Sequence, residues 1–131
     1  MLKGVLMDLQ ESKEDYLEAI LVITENQHYV RSVDIAKFLH VSKPSVTYAT
    51  KQLKDLGFID MDPNGMIRLT ETGKKTAQKV WDKHQILGKL FMFLGVNKEQ
   101  AMIDACKVEH DLSDKTFKAI KNYMKTNKLI I

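Results

Sequence analysis

Six side chains of metal-binding type fall in three segments of the chain: Asp15 and Glu18, then His84, then Cys106, Glu109 and His110. The last three are spaced i, i+3 and i+4, so a helix would place them on one side. Asp15 and Glu18, three residues apart, would likewise share a helix face. Thiolate, imidazole and carboxylate are the donors used for first-row divalent metals, and this mixed set suits manganese, iron, cobalt or zinc.

Each of these residues also fits a role that needs no metal. Asp15 fits a capping box opened by Ser12, and Glu18 fits a first-turn acid that complements the helix dipole. A lone cysteine is commonly a small buried hydrophobe, and His84 fits a hydrogen-bonded core histidine. Taken together, the six residues favour the metal-site interpretation, because carboxylates and a thiolate brought close together repel one another unless a cation neutralises them. Spacing alone does not show that the three segments meet.

A second candidate site is a segment rich in hydroxyl groups and lysine. A helix that begins near Ser42 would carry small polar side chains at its N-terminus, where they can approach base edges closely. We predict DNA contacts by this helix and by a following hairpin, through Ser42, Lys43, Pro44, Ser45, Thr47, Tyr48, Lys51, Asn64 and Arg68. Residues 42–48 lack Arg and Gln, which favours readout of DNA shape. A structural helix pair, or a winged fold used for protein contacts, is the alternative.

The elements that must position these residues are mainly helices. Apolar periodicity predicts helices over about 12–25, 32–39, 42–56, 74–94, 98–110 and 113–125. Ser32, Ser42 and Ser113 are the predicted N-caps of the second, third and last of these helices. Alternating residues on both sides of Pro63-Asn64-Gly65 predict a β-hairpin. We therefore predict a mainly α fold: a winged helix-turn-helix with one short β-hairpin over 1–73, followed by a helical dimerisation domain over 74–131.

Composition and charge limit the function classes. The 131 residues are 44% hydrophobic and 28% charged, which excludes wholesale disorder. The sequence has no apolar run of about 18 residues, no signal-peptide pattern and a single Cys, so we expect a cytoplasmic protein without membrane contact. The net charge of +3 is small, yet it is segregated: residues 8–25 are acidic, and Lys recurs nearly every turn from Lys115 to Lys128.

From Ser12 to about Tyr123 the chain resembles the metal-dependent repressors related to the diphtheria toxin repressor and the manganese transport regulator. The resemblance lies in Glu14-Asp-Tyr-Leu-Glu18, Val33-Asp-Ile-Ala36, Val41-Ser-Lys-Pro-Ser-Val-Thr47, Leu69-Thr-Glu-Thr-Gly73, His84-Gln-Ile-Leu87 and Cys106-Lys-Val-Glu-His110. The last stretch is the most specific of them.

The resemblance implies a homodimeric repressor of manganese or iron homeostasis genes that binds a palindromic double-stranded DNA operator. It implies that a divalent metal acts as corepressor and orders the dimer, with Asp15, Glu18, His84, Cys106, Glu109 and His110 as ligands. Mn²⁺ or Fe²⁺ is the expected ion, with Zn²⁺ or Co²⁺ as alternatives. Manganese-type members carry Glu in place of Cys106, and iron-type members carry Met in place of Asp15. Iron-type members also have ligands of an ancillary site where this chain has Gly88 and Met102.

Two other functions fit the residues less well. A metal-independent winged-helix regulator that senses a small organic ligand predicts that Cys106→Ala and His110→Ala leave DNA binding unchanged. A metallohydrolase with Glu109 as base needs an open coordination position and a substrate cleft. The sequence has no nucleophile motif and no phosphate-binding glycine loop, so we predict no enzymatic activity and no small organic substrate.

Overall fold

The computed structural model describes the backbone of residues 2–129 and the side chains of residues 13–129. In this part of the chain the elements are α1 (Leu2–Gln27), α2 (Ser32–Leu39), α3 (Lys43–Asp55), β1 (Ile59–Met61), β2 (Ile67–Leu69), α4 (Glu71–Phe93), α5 (Lys98–Val108) and α6 (Asp114–Thr126). The predicted mainly α fold with a short hairpin is confirmed.

The chain forms two compact units, Met1–Gln78 and Lys79–Ile131, whose boundary lies inside α4. The predicted domains 1–73 and 74–131 remain a prediction. Among the described residues, none of the helices combines the length and the apolar character that a membrane span requires.

Helix α1 passes through Ser12 without a break, so the predicted helix start at this residue is wrong. A serine costs a helix interior little when strong helix formers surround it, as Leu9, Glu11 and Glu14 do here. Asp15 and Glu18 therefore lie in the interior of α1, where an N-terminal capping or dipole role no longer applies. The helix ends at Gln27. The next residue, His28, has a left-handed φ of 65°, and its N–H donates to the Thr24 carbonyl at 2.9 Å.

The core of the first unit lies beneath the helix-turn-helix formed by α2 and α3. Its largest fully buried side chains are Leu17, Ile20, Val30, Ile35, Val46, Leu53, Ile59 and Ile67. The predicted N-cap of α2, Ser32, is instead its first helical residue: Arg31 is the cap, and its N–H donates to Asp34 Oδ2 at 2.9 Å. The predicted cap of α3 is confirmed, because Ser42 Oγ accepts the Ser45 N–H at 3.3 Å.

The hairpin pairs Ile59 with Leu69, Asp60 with Arg68, and Met61 with Ile67. Its loop is fixed by Asp62, whose Oδ1 accepts the N–H groups of Asn64 and Met66, each at 2.9 Å. This side-chain cap on the turn holds the tip of the wing in one conformation.

Helix α4 begins at Glu71, three residues before the predicted start at Lys74. The reason is Thr70, whose Oγ1 accepts the Gly73 N–H at 3.1 Å and also donates to the Gly57 carbonyl at 2.7 Å. Gly73 is buried, and a Cβ atom there would lie only 1.9 Å from the Phe58 carbonyl oxygen. The hairpin and α4 are thus joined by a backbone contact that only glycine permits.

In the second unit, the second half of α4 packs with α6 around a small apolar core. Ile86, Phe117 and Met124 are buried, and Leu90, Ile120 and Leu129 pack against them. Asn97 caps α5 by accepting the Gln100 N–H at 2.9 Å. Ser113 caps α6, as predicted, by accepting the Thr116 N–H at 3.1 Å.

Candidate metal centre and DNA interface

Four of the six predicted metal ligands lie in the second unit. His84 belongs to α4, and Cys106 lies in the last turn of α5. The predicted extent of α5 to His110 is too long, because the helix ends at Val108. Glu109 nevertheless keeps helical angles (φ −56°, ψ −33°), and its N–H donates to the Ala105 carbonyl at 3.0 Å. Cys106 and Glu109 therefore keep the i, i+3 relation that the sequence pattern requires.

The carboxylate of Glu109 is the centre of this cluster, and its residue is 0% exposed. Its Oε2 lies 3.2 Å from His84 Nδ1, and its Oε1 lies 3.4 Å from His110 Nε2. The side chains of His84 and His110 are only 15% and 3% exposed. One ligand atom each from Cys106, Glu109 and His110 lie within 4.8 Å of one another. Cys106, Glu109 and His110 thus form one group of possible metal ligands, and His84 contacts the other carboxylate oxygen of Glu109.

These residues fit a divalent cation. A buried carboxylate is costly unless a positive charge accompanies it, and the neighbouring ring nitrogens supply that charge only when they are protonated. Two donors bound about 2.1 Å from one ion, at octahedral or tetrahedral angles, lie roughly 3.0–3.4 Å apart. The two distances between Glu109 and the histidine nitrogens fall within this range.

An aromatic neighbour that the sequence reasoning missed orients His84. The Trp81 ring stacks on the His84 ring, with centroids 6.3 Å apart and an interplanar angle of 15°. Trp81 precedes His84 by three residues on α4, a spacing that places both on one helix face. It is also the only tryptophan of the sequence, which makes it a specific optical reporter of this site.

The two remaining predicted ligands, Asp15 and Glu18, lie on α1 in the first unit. Both are half-buried, and their spacing of three residues places them on one face of the helix. Burial raises the pKa of their neighbour Tyr16, so its phenol stays neutral near pH 7. Their role as ligands remains a prediction.

Of the two positions at which the resemblance implies an ancillary site in iron-type members, Gly88 is buried and the Met102 thioether fills the space beside it. A Cβ atom at Gly88 would lie 2.8 Å from both Cε and Sδ of Met102. The space is occupied by an apolar thioether, so a longer side chain at position 88 would have to displace Met102.

The predicted DNA-reading residues form an exposed polar surface at the start of α3. Ser42, Lys43, Pro44, Ser45, Thr47, Tyr48 and Lys51 are exposed, and Val46 anchors the helix in the core. Ser42 Oγ and Ser45 Oγ share a hydrogen bond of 2.9 Å, and Thr47 Oγ1 donates to the Lys43 carbonyl at 3.1 Å. Gln52, which the sequence reasoning missed, donates to the Tyr48 hydroxyl at 2.9 Å. Its amide therefore extends the polar surface along α3.

The other two predicted DNA contacts lie on the hairpin. Asn64 is exposed at the tip, where its carbonyl accepts a hydrogen bond from Arg31 Nη1 at 3.2 Å. Arg68 is exposed on β2 and pairs in register with Asp60 on β1. Arg31, also missed by the sequence reasoning, thus brings a guanidinium group to the hairpin tip, in addition to Arg68 on the strand.

Comparison with known families covers nearly the whole chain. The model of the iron-dependent repressor N-terminal DNA-binding domain matches residues 8–66. The model of the iron-dependent repressor metal-binding and dimerisation domain matches residues 70–128.

Two curated relatives are similar in sequence. An uncharacterised HTH-type transcriptional regulator of Methanocaldococcus jannaschii is 40% identical over 119 residues, which are 88% of this chain and 94% of the relative. The transcriptional regulator MntR of Escherichia coli O157:H7 is 37% identical over 112 residues, which are 86% of this chain and 72% of the relative.

Two solved structures share the fold. The metal-dependent transcriptional regulator MtsR superposes with a TM-score of 0.80 at 26% identity, and T. acidophilum IdeR with a TM-score of 0.76 at 25% identity. Each match covers 86% of this chain and 53% of the solved chain. The chain therefore spans about half the length of these solved relatives.

Proposed function

Because this chain belongs to the diphtheria toxin repressor/MntR family of metal-dependent repressors, we propose that it represses manganese or iron homeostasis genes with a divalent metal as corepressor. The observation that carries this proposal is the buried Glu109 carboxylate between His84 and His110, next to the Cys106 thiol. Such a site is costly in the absence of a cation, so the stability of this part of the protein depends on the metal supply.

We propose that Asp15 and Glu18 complete the ligand set. A bound divalent ion supplies positive charge to carboxylates and a thiolate that otherwise repel one another. Helices α2 and α3 pack against α1. A bound ion then gives one shared counter-charge to the carboxylates on α1 and to the donors at the end of α5. Metal binding is coupled to DNA binding to the extent that the metal prefers the DNA-binding state.

A titration of each metal in turn tests this proposal. The protein is titrated with operator DNA under anaerobic conditions in the presence of Mn²⁺, Fe²⁺, Co²⁺ or Zn²⁺. In parallel metal titrations, Trp81 emission reports metal binding beside His84. We expect tighter DNA binding with metal than with chelator, and a weaker metal effect at low pH because protons compete for the imidazoles and the thiolate. Equal DNA affinity with and without chelator would refute the proposal.

Matched variants distinguish the loss of a metal ligand from a nonspecific effect of substitution on folding. His110→Ala and Cys106→Ala are expected to abolish the metal effect on DNA binding. His28→Asn and His40→Asn are the controls, because both histidines are exposed and hold left-handed φ values that asparagine tolerates. If the first pair behaves like the controls, a metal-independent regulator that senses a small organic ligand is the better account.

We propose that the protein is cytoplasmic and that a homodimer presents two α3 helices to a palindromic operator. A family region of metal-binding and dimerisation type over residues 70–128 supports the dimer. Two protomers per duplex are expected, and a half-site duplex should bind more weakly than the whole palindrome. We further propose that the chain has no enzymatic activity and no small organic substrate, as befits a transcriptional regulator.

A further inference from the structure

Helix α6 carries a row of lysines that the proposed metal and DNA sites do not use. Lys115, Lys118 and Lys125 are exposed, and Lys121 is half-buried. The acid at the start of the helix, Asp114, is already engaged by Lys79 at 2.7 Å and Lys83 at 3.3 Å. Within the described side chains, the ion pairs leave these four lysines without a carboxylate partner. We refer to Lys115, Lys118, Lys121 and Lys125 as the lysine stripe.

The lysine stripe lies on one side of the helix. At about 100° per residue, its four positions fall within an arc of about 120°, beside the positions of Phe117, Ile120 and Met124. Phe117 and Met124 are buried in the core of the second unit. The apolar side of α6 is therefore already packed, and it is not available to enter a lipid layer.

The length and charge of the stripe match a DNA backbone. Ten residues separate Lys115 from Lys125, which is roughly 15 Å of helix at 1.5 Å per residue. One strand of a duplex carries a phosphate about every 3.4 Å along its axis, so roughly four phosphates lie within that length. The four lysines without carboxylate partners thus match the number of phosphates on one strand of a duplex over the same length.

We propose that the lysine stripe is a second DNA-binding surface, which contacts the phosphates of a duplex irrespective of sequence. This inference rests on the proposed function in one respect: the DNA-binding role is the reason for taking DNA as the polyanion that the stripe binds. Lysine is suited to this role because its ammonium group acts as a point charge on a flexible stem and requires no fixed geometry.

The salt dependence of DNA binding tests the proposal. The variant Lys115→Gln/Lys118→Gln/Lys125→Gln removes three exposed charges and leaves the half-buried Lys121 in place. With a duplex of unrelated sequence, each lost phosphate contact should reduce the slope of log K against log[salt] by about 0.9, or about 2.7 for all three. The preference for operator over unrelated DNA should persist, because the α3 surface is intact.

Two further variants make the test specific. Lys89→Gln/Lys98→Gln/Lys107→Gln removes the same charge from other exposed lysines of the second unit and should leave the slope unchanged. The corresponding Lys→Arg variant of the stripe should bind like wild type. A wild-type slope in the Gln stripe variant would overturn this inference alone, whereas absence of DNA binding by the wild-type chain would overturn the proposed function as well. Loss of binding to phosphatidylserine vesicles, with the DNA slope unchanged, would assign the stripe to membranes and refute the proposal.

Discussion

Glu109 is the residue whose burial sets the chemistry of the second unit. Its carboxylate lies between two imidazoles and is closed to water. A buried carboxylate is costly without a cation, and a bound cation offsets that cost. Its substitution should therefore have opposite effects on the metal-free and the metal-bound protein.

We predict that Glu109→Gln lowers metal affinity by at least about 100-fold, since it removes a charged ligand. The metal-free variant should be as stable as wild type or up to about 2 kcal/mol more stable, because a buried charge is replaced by a neutral amide of similar shape. Thermal denaturation with chelator and with metal measures both effects. An equal rise in Tm with metal in wild type and variant would contradict the prediction.

Single residues show which features of the structure a local sequence pattern can predict. Ser42 and Ser113 cap their helices as predicted, because capping depends on neighbours within three residues. The same local signal at Ser12 was wrong, because strong helix formers on both sides continue α1 through it. The contact between His84 and Glu109 joins residues far apart in the chain, so it follows from tertiary packing and not from spacing. The participation of Asp15 and Glu18 remains a prediction.

At the level of elements, the junction of the hairpin with α4 depends on Gly73. We predict that Gly73→Ala destabilises the protein by about 3 kcal/mol or more, because its Cβ would overlap the Phe58 carbonyl at 1.9 Å and backbone cannot easily yield. Thr72→Ala, at an exposed neighbouring position, is the control and should cost far less. Urea denaturation with an unchanged midpoint for Gly73→Ala would show that the junction can relax.

The pairing of α4 with α6 is expected to depend on pH. Hydrogen bonds from Lys79 and Lys83 lower the pKa of Asp114 below its ordinary value of 3.8. A carboxyl group whose pKa is lower in the folded state contributes stability above its unfolded pKa and loses it as pH falls through the folded pKa. Asp114→Asn should therefore lower Tm slightly at pH 7, and the difference from wild type should shrink as the pH falls from the ordinary carboxyl pKa of 3.8 through the lower folded pKa. A Tm difference that persists in full at pH 2 would exclude this origin.

At the scale of the whole molecule, the proposed function has metal and DNA act on one equilibrium, and their effects must then be reciprocal. If metal raises operator affinity by a given factor, operator DNA must raise metal affinity by the same factor, typically about 5- to 150-fold for coupled sites. The first factor follows from DNA titrations with and without metal, and the second from Trp81 emission during metal titrations with and without DNA. Lys43→Gln, on the exposed start of α3, should weaken DNA binding and leave the metal affinity of the DNA-free protein unchanged. If the two factors differ beyond error, the fluorescent site is not the one that controls DNA binding.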